Sequence, residues 1–512
     1  MFGRAMHIGL WAATLPVGIV ALAASWPSWL SFSTLEGTPL GFFLRPMNLS
    51  NASASAEMPK SLVERLEGVT HYRLVPGIFP SGMHFHFDGL ATVVKFSFKG
   101  GRLEWTARAY ESEAEKHYSS CIFAGTGTGP TVGYHPCLTN PVVNLLPIKD
   151  QLWLTTDTSK WGRVHPETLA TLPDEVEVDS TVLNAHPACD PSTDDCFVQY
   201  NCGQDRQPYT NQACVGRLQT AATGMKAEEV SRTELPSRKL IQHSHSPCVT
   251  EHYVVSKIDS FTPRSPLNSN SGVLKLLQQA EDDLWLVMDR KTNKSTILQG
   301  SVKFVNNHFW NCYETPDGNV VIDSVAATEN YLDNYFERNL AADHANWTRL
   351  FHPALRCTIP AAAGGAVACE NLFEDGAGAV FDYPTFNPAY KMNPNYRFFY
   401  GISAQGSASR WFDELIKVDV QSRKVVQRWS SPGIFLTEAD FIPWRGQAQA
   451  GSRPEDEGML LSVLYNATDD QSSLGIFDAA SLKLLHHEPM GAVIPFHAHG
   501  IVCVDGKCYS NP

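Results

Sequence analysis

The chain has 512 residues, 43% of them hydrophobic and 18% charged, which is enough apolar side chain for a large core and excludes a disordered polyelectrolyte. Forty basic against 53 acidic side chains give a net charge of −13, and no Lys/Arg run forms a footprint for nucleic acid, so no nucleic-acid partner is expected. Thirty-six glycines, 32 prolines and 11% aromatics suit many short strands joined by turns and leave propellers, sandwiches and barrels open.

In chain order, Arg4 precedes an apolar run from Ile8 to Ala23 that ends in Ala21-Leu22-Ala23. This three-part form predicts a signal peptide or membrane anchor over residues 1–25. Residues 26–58 are rich in Ser, Ala and Pro without helical or strand periodicity, which predicts a linker, with the folded body over 59–512. From there short apolar runs recur between turn signals. Ala91 to Phe98 precedes Lys99-Gly100-Gly101, and Gln151 to Thr156 follows Lys149-Asp150. Leu284 to Met288 runs into a turn over Asp289 to Lys294, and Gly318 to Asp323 follows Pro316-Asp317. These read as strands ended by hairpin turns. Gly125-Thr126-Gly127-Thr128-Gly129 lacks the Lys and helix of a phosphate loop and reads as a turn. The aromatic group Tyr396 to Tyr400 reads as core.

Twelve cysteines show no paired C-x-x-C zinc pattern and no dense framework, so buried free thiols with one or two disulfides are expected. Sequons begin at Asn48, Asn51, Asn293, Asn346 and Asn466, a number that chance supplies in a chain of this length.

Four histidines stand in distinctive contexts: Ala185-His186-Pro187, His245-Ser246-Pro247, His308-Phe309-Trp310 and His499-Gly500. The first three are spaced about 60 residues apart, close to one propeller blade with its loop, and the last interval spans about three such units. All four could therefore come from inner strands around one axis. His243 and His497 are neighbours of His245 and His499 on the same strand face. The continuation Pro247-Cys248-Val249-Thr250-Glu251-His252-Tyr253 favours His245, and the following glycine favours His499. Glu251 and Glu314 read as structural hydrogen-bond partners.

These contexts resemble the four iron-ligand segments of the carotenoid oxygenases. Further segments resemble the same family: Tyr72-Arg73-Leu74-Val75-Pro76-Gly77 and His86-Phe87-Asp88-Gly89 its opening blade, Trp161 to Leu169 a strand-turn segment, and Phe412 to Asp419 a late blade. The resemblance implies an all-β fold, a seven-bladed β-propeller with the metal site on the central axis. It implies one Fe(II) held by His186, His245, His308 and His499. Four neutral imidazoles leave the ion two open positions and its full charge, with O2 as cosubstrate. In the family, acids hydrogen-bond three of the ligand imidazoles; the matching residues here are Asp157, Asp382 and Glu438, two of them one methylene shorter than the family's glutamate.

The function implied is cleavage of a double bond in a carotenoid or apocarotenoid to aldehyde or ketone products. Cleavage of stilbenes, retinoid isomerisation with the iron as Lewis acid, and a catalytically silent lipid- or protein-binding propeller are the alternatives. A hydrophobic polyene partner and the N-terminal segment together predict association with a membrane surface, in the secretory pathway or a plastid.

Overall fold

The computed structural model describes residues 47–510 apart from 80–88, 117–139, 203–210, 264–276, 280–282, 329–350, 374–379, 406–410, 445–449 and short gaps at 174, 179, 181–182, 222–223, 237–240 and 352. The Ile8–Ala23 segment, the glycine run 125–129 and His86 to Asp88 lie outside the described residues. What is described forms seven sheets, each of four or more strands and almost wholly antiparallel. Their inner strands neighbour one another in turn around a closed ring. This is the seven-bladed propeller.

Blade 1 closes the ring. Its strand Val69–Phe79 pairs on one side with Leu90–Lys99 and on the other with Gly500–Val504, so the beginning and the end of the described residues share one sheet. Such closure leaves the sheets no long free edge near the axis. The remaining blades follow the chain: Asn144–Ile148 opens blade 2, Ala188–Cys189 lies innermost in blade 3 and Cys248–Val249 in blade 4. Val305–Glu314, Phe381–Thr385 and Ile434–Pro443 are the inner strands of blades 5, 6 and 7.

Each blade lies against the next, so strands near the axis are covered on both faces and read as unbroken apolar runs. Gly458–Asn466, with the sequence GMLLSVLYN, is buried except at its last residue. The outermost strand of blade 6, Lys424–Ser430, is covered on one face and alternates exposed with half-buried side chains, as a period of two requires. Turns follow local chemistry. Between Leu284–Asp289 and Lys294–Gln299 the Asp289 carboxylate accepts the N–H groups of Lys291 and Thr292 at 2.9 and 2.8 Å, while Asn293 takes a left-handed φ of 57°. Asp and Asn are suited to those two tasks. Tyr396, Phe399 and Tyr400 are buried with Trp310 and Phe381 in one core cluster, as expected.

Two expectations are corrected. The linker does not extend to residue 58: Ser53–Glu57 pairs with Arg102–Ala109 and Met47–Asn48 pairs with Phe79 and Ile78, so both belong to blade 1. Edge strands made of Ser and Ala carry no apolar alternation because they bury little, which hides them in the sequence. The cysteines are not buried free thiols either. Ten of them form five disulfides, 189–196, 202–214, 248–312, 357–369 and 503–508, and no described cysteine is free. Four of the five join neighbouring strands or the ends of a single strand pair. Their pairing depends on strand register, which spacing does not reveal.

Among the described residues no helix is long and apolar enough to cross a membrane. Val426, on an outer strand, is the one large apolar side chain there that is strongly exposed.

Candidate metal centre

The geometry of the axis is set by β-bulges. In Val305–Glu314 the register slips between Asn306 and His308 and again between Phe309 and Asn311. In Phe381–Thr385 it slips between Asp382 and Thr385, where Tyr383 has a φ of 54°. In Ile434–Pro443 it slips between Leu436 and Ala439, around Glu438. A bulge turns one side chain out of the alternating pattern, and here the side chains turned inward are His308, Asp382 and Glu438. A Cβ on Gly401 would lie 3.0 Å from Phe381 and 3.2 Å from the Asp382 carbonyl, so a side chain there would press on the bulge in Phe381–Thr385.

His186, His245, His308 and His499 converge, with one ring nitrogen of each within 4.8 Å of the others. Ring centroids of His186 lie 4.6, 5.2 and 4.4 Å from those of His245, His308 and His499. Three of the rings are anchored through Nδ1 to carboxylates. His308 Nδ1 is 2.7 Å from Asp382, His499 Nδ1 is 3.0 Å from Glu438, and His245 Nδ1 is 3.2 Å from both oxygens of Asp157. The two shortened acids therefore reach their imidazoles directly.

Each acid is itself fixed. Asp382 accepts from the Asn307 amide at 2.6 Å and the Tyr383 N–H at 2.8 Å. Asp157 accepts the Ala185 N–H at 3.1 Å, and Glu438 accepts the Gly500 N–H at 3.0 Å. Replacing Asp382 with Asn is expected to weaken metal retention about 10- to 100-fold, as losses of this kind commonly do. Competition with a chelator measures it, and unchanged retention would deny Asp382 an orienting role.

A carboxylate beside Nδ1 accepts a hydrogen bond from that nitrogen, which holds the ring proton on Nδ1 and leaves the Nε2 lone pair available to a metal. His308 Nε2 and His499 Nε2 then face each other at 3.1 Å, two acceptors aimed at one spot, an arrangement that a shared cation relieves. Ligands about 2.1 Å from one ion are at most about 4.2 Å apart, so the set closes on a metal by shifts of a few tenths of an ångström. Burial lowers the pKa of His308, and burial followed by the neighbouring histidines lowers that of His499 well below the usual imidazole range. Both are thus held neutral, the form that binds metal. An all-imidazole set suits iron, cobalt, nickel, copper or zinc better than magnesium or calcium.

His497, the sequence neighbour of His499, is buried but outside the cluster; its Nδ1 donates to the Pro495 carbonyl at 2.8 Å. Glu314 accepts from the His252 backbone and lies 2.7 Å from its ring, at the surface. It is structural, as expected. Three positions were not legible in the sequence. Asn144 Nδ2 lies 3.2 Å from His186 Nδ1, so that ring is tied by an amide. Arg73, fully buried, donates to Glu438, Asp440 and the Ala498 carbonyl. His71 is 2.7 Å from Asp440. The Arg73 guanidinium thus compensates two buried acids behind His499, and a Cβ on Gly500 would come within 2.5 Å of its Cδ. A buried Arg in a strand that otherwise reads as apolar, Tyr72-Arg73-Leu74-Val75, was the available signal.

Beside His186 opens a cavity lined by Pro187, Pro247, Val249, Phe309, Trp310 and Met392, together with Lys391 and the Cys248–Cys312 disulfide. Its wall is more apolar than polar, and at about 40 Å³ it has room for a water molecule or two, not for a polyene.

Comparisons with known proteins agree with this architecture. The family model described as retinal pigment epithelial membrane protein matches residues 64–501. The chain is 25% identical over 484 residues to carotenoid cleavage dioxygenase 8 of Arabidopsis thaliana, covering 84% of this chain and 80% of that protein. It is 25% identical to the β,β-carotene 15,15'-dioxygenase of Gallus gallus, covering 87% and 94%, and 25% identical to the apocarotenoid-15,15'-oxygenase of Synechocystis, covering 86% and 91%. A cobalt-substituted structure of the Synechocystis oxygenase superposes with a TM-score of 0.71 at 19% identity, over 91% of this chain and 98% of that one. The chain belongs to the carotenoid oxygenase family, that of the retinal pigment epithelial membrane protein.

Proposed function

We propose that the protein is an Fe(II)-dependent dioxygenase that cleaves a carbon–carbon double bond of a carotenoid or apocarotenoid, giving aldehyde or ketone products. The observation that carries this is the convergence of four imidazoles, three held by carboxylates and none of the ligands itself a carboxylate. The named activities of the Arabidopsis, chicken and Synechocystis relatives support the same substrate class. Fe(II) held by His186, His245, His308 and His499 supplies activation of dioxygen. The protein's own side chains do the rest. Asp157, Asp382 and Glu438 fix ring orientation and tautomer, and the closed ring of blades keeps bulk water from the axis.

The reading includes a compartment. Five disulfides form and persist where the surroundings are oxidising, which agrees with the Ile8–Ala23 segment acting as a secretory address or an anchor. Deleting residues 1–25 is the matching test: the truncated chain should leave the membrane fraction or stay in the cytosol while still cleaving detergent-solubilised substrate.

Anaerobic purification, metal analysis and incubation with a panel of carotenoids and apocarotenoids test the activity. One iron per chain and aldehyde products that carry label from 18O2 are expected. Full iron loading with bound but unconverted polyene would instead identify a binding propeller, and isomerised product without oxygen incorporation would identify a retinoid isomerase.

A further inference from the structure

A chain of buried polar groups joins blades 4 and 5 behind the histidines. Strand Tyr253–Pro263 of blade 4 carries two charges, Lys257 and Asp259, in an otherwise uncharged run, and their spacing of two puts them on one face. Both are buried, as is Asp283. Lys257 Nζ donates to Asp259 Oδ1 at 2.7 Å, lies 3.0 Å from Asp283 Oδ1 and sits 4.6 Å from the centroid of the Phe304 ring. Burial opposes its charge, but the two acids outweigh burial and hold its pKa above the usual lysine range. The amine is therefore a fixed cation between two carboxylates.

Asp259 reaches both neighbouring ligand segments. Its backbone pairs with that of His243, two residues before His245. Its other oxygen, Oδ2, accepts the N–H of Asn306, two residues before His308, at 3.0 Å. Asn306 then reaches back to blade 4: its Nδ2 donates to the Ser246 carbonyl at 3.1 Å, while the Ser246 hydroxyl donates to the Asn307 carbonyl at 3.3 Å. Asn306 Oδ1 accepts the Ser324 hydroxyl at 3.3 Å. These bonds cross between the blades directly beside His245 and His308, and they fall on the register slip between Asn306 and His308, where the ladder itself is interrupted. Asp283 shares the amine, but its carboxylate lies against Gly300, just past the outermost strand Lys294–Gln299. Among the described residues, Asp259 is the one of the two acids that hydrogen-bonds the ligand-bearing strand.

We propose that Asp259, paired with Lys257, and Asn306 are positioning residues of the metal centre, which together set the separation of His245 and His308. The carboxylates at Nδ1 do a different task. Asp382 at 2.7 Å from His308 and Asp157 at 3.2 Å from His245 fix how each ring is turned, whereas the Asp259–Asn306 brace fixes the backbones from which the two rings extend. A buried N–H that loses its acceptor is costly, so the strand moves to satisfy it. Metal–ligand distances tolerate only about 0.2 Å, so such a movement is felt at the centre. The inference rests on the four-histidine centre holding a metal and is independent of the reaction carried out there.

Asp259→Ala and Asp283→Ala form a matched pair, because each removes one acid from the same buried lysine and leaves the other to balance it. Full-length wild-type and variant chains are loaded anaerobically with Co(II), and the visible absorption band of the bound ion and its rate of loss to a chelator are followed. Asp259→Ala should release cobalt about 10- to 100-fold faster than the wild type, the range for losing an outer partner of a ligand, and shift the band, while Asp283→Ala should stay within about twofold and keep the wild-type band. Both should lower the unfolding temperature. Asn306→Ala leaves every buried charge in place and should behave like Asp259→Ala; it carries the test if Asp259→Ala does not fold. Equal acceleration in the Asp259 and Asp283 variants would reduce the brace to general stability and overturn the proposal. Cobalt held as firmly by the Asp259 and Asn306 variants as by the wild type overturns the brace alone, whereas a wild-type chain that takes up no cobalt rejects the four-histidine centre itself.

Discussion

His308→Ala should lower metal affinity by more than about 100-fold, beyond the range for losing an orienting acid, and should abolish cleavage. The imidazole is the one of the four whose fixation is most complete. Its Nδ1 meets Asp382 at 2.7 Å, and its Nε2 faces that of His499 at 3.1 Å. Alanine removes a donor and opens a hole on the axis, but it does not strand a charge, because Asp382 still accepts from Asn307 and from the Tyr383 N–H. The blade should therefore remain folded, and added imidazole should restore part of the metal content by filling the hole. His497→Ala is the control. That ring is equally buried and its Nδ1 donates to the Pro495 carbonyl, outside the cluster, so its loss should cost stability while leaving metal stoichiometry at the wild-type value. Metal content measured after anaerobic reconstitution decides the matter. Equal loading of the His308 variant and the wild type would reject the four-histidine centre, and loss of metal in the His497 variant would make His497 a ligand in place of His499.

The parts of this molecule that local chemistry determines were legible. Leu284–Asp289 and Leu90–Lys99 are apolar runs that stop at turn residues, and the sequence places both strands within a residue. The histidine spacing gave the blade count between ligands correctly: His186, His245 and His308 fall in successive blades, and His499 returns three blades later. Bulges were not legible, since nothing in Asn306-Asn307-His308 or Leu436-Thr437-Glu438-Ala439 announces that a residue will be left out of the ladder. The shorter side chains nonetheless reach their imidazoles, Asp382 at 2.7 Å from His308 and Asp157 at 3.2 Å from His245, contacts that depend on where the backbone lies and so are not visible in the sequence. Arg73 and Asn144 act across blades, between residues hundreds or tens of positions apart, and no local pattern encodes such a pair.

Breaking the Cys248–Cys312 disulfide, by the paired change Cys248→Ser with Cys312→Ser, should destabilise the protein by about 4 kcal/mol on the loop-closure account. The bond spans 64 residues, far more chain than the other four, and closing a longer loop removes more entropy from the unfolded state. Its position gives it a second effect. Cys248 follows His245 by three residues and Cys312 follows His308 by four, so the bond joins the inner strands of two neighbouring blades close to a ligand in each and forms part of the cavity wall. A serine pair should therefore lower the unfolding temperature and also speed metal loss to a chelator below that temperature. A purely global destabilisation would not produce the second change. The native protein supplies an independent check. With ten of twelve cysteines paired, denaturation without reductant should expose at most two thiols, those of Cys121 and Cys137. If protein from an oxidising compartment instead exposes ten or more, the disulfide framework is absent and the argument for an oxidising site of action goes with it. If thiols are few but the serine pair holds metal as firmly as the wild type, the bond stabilises the ring of blades without positioning His245 and His308.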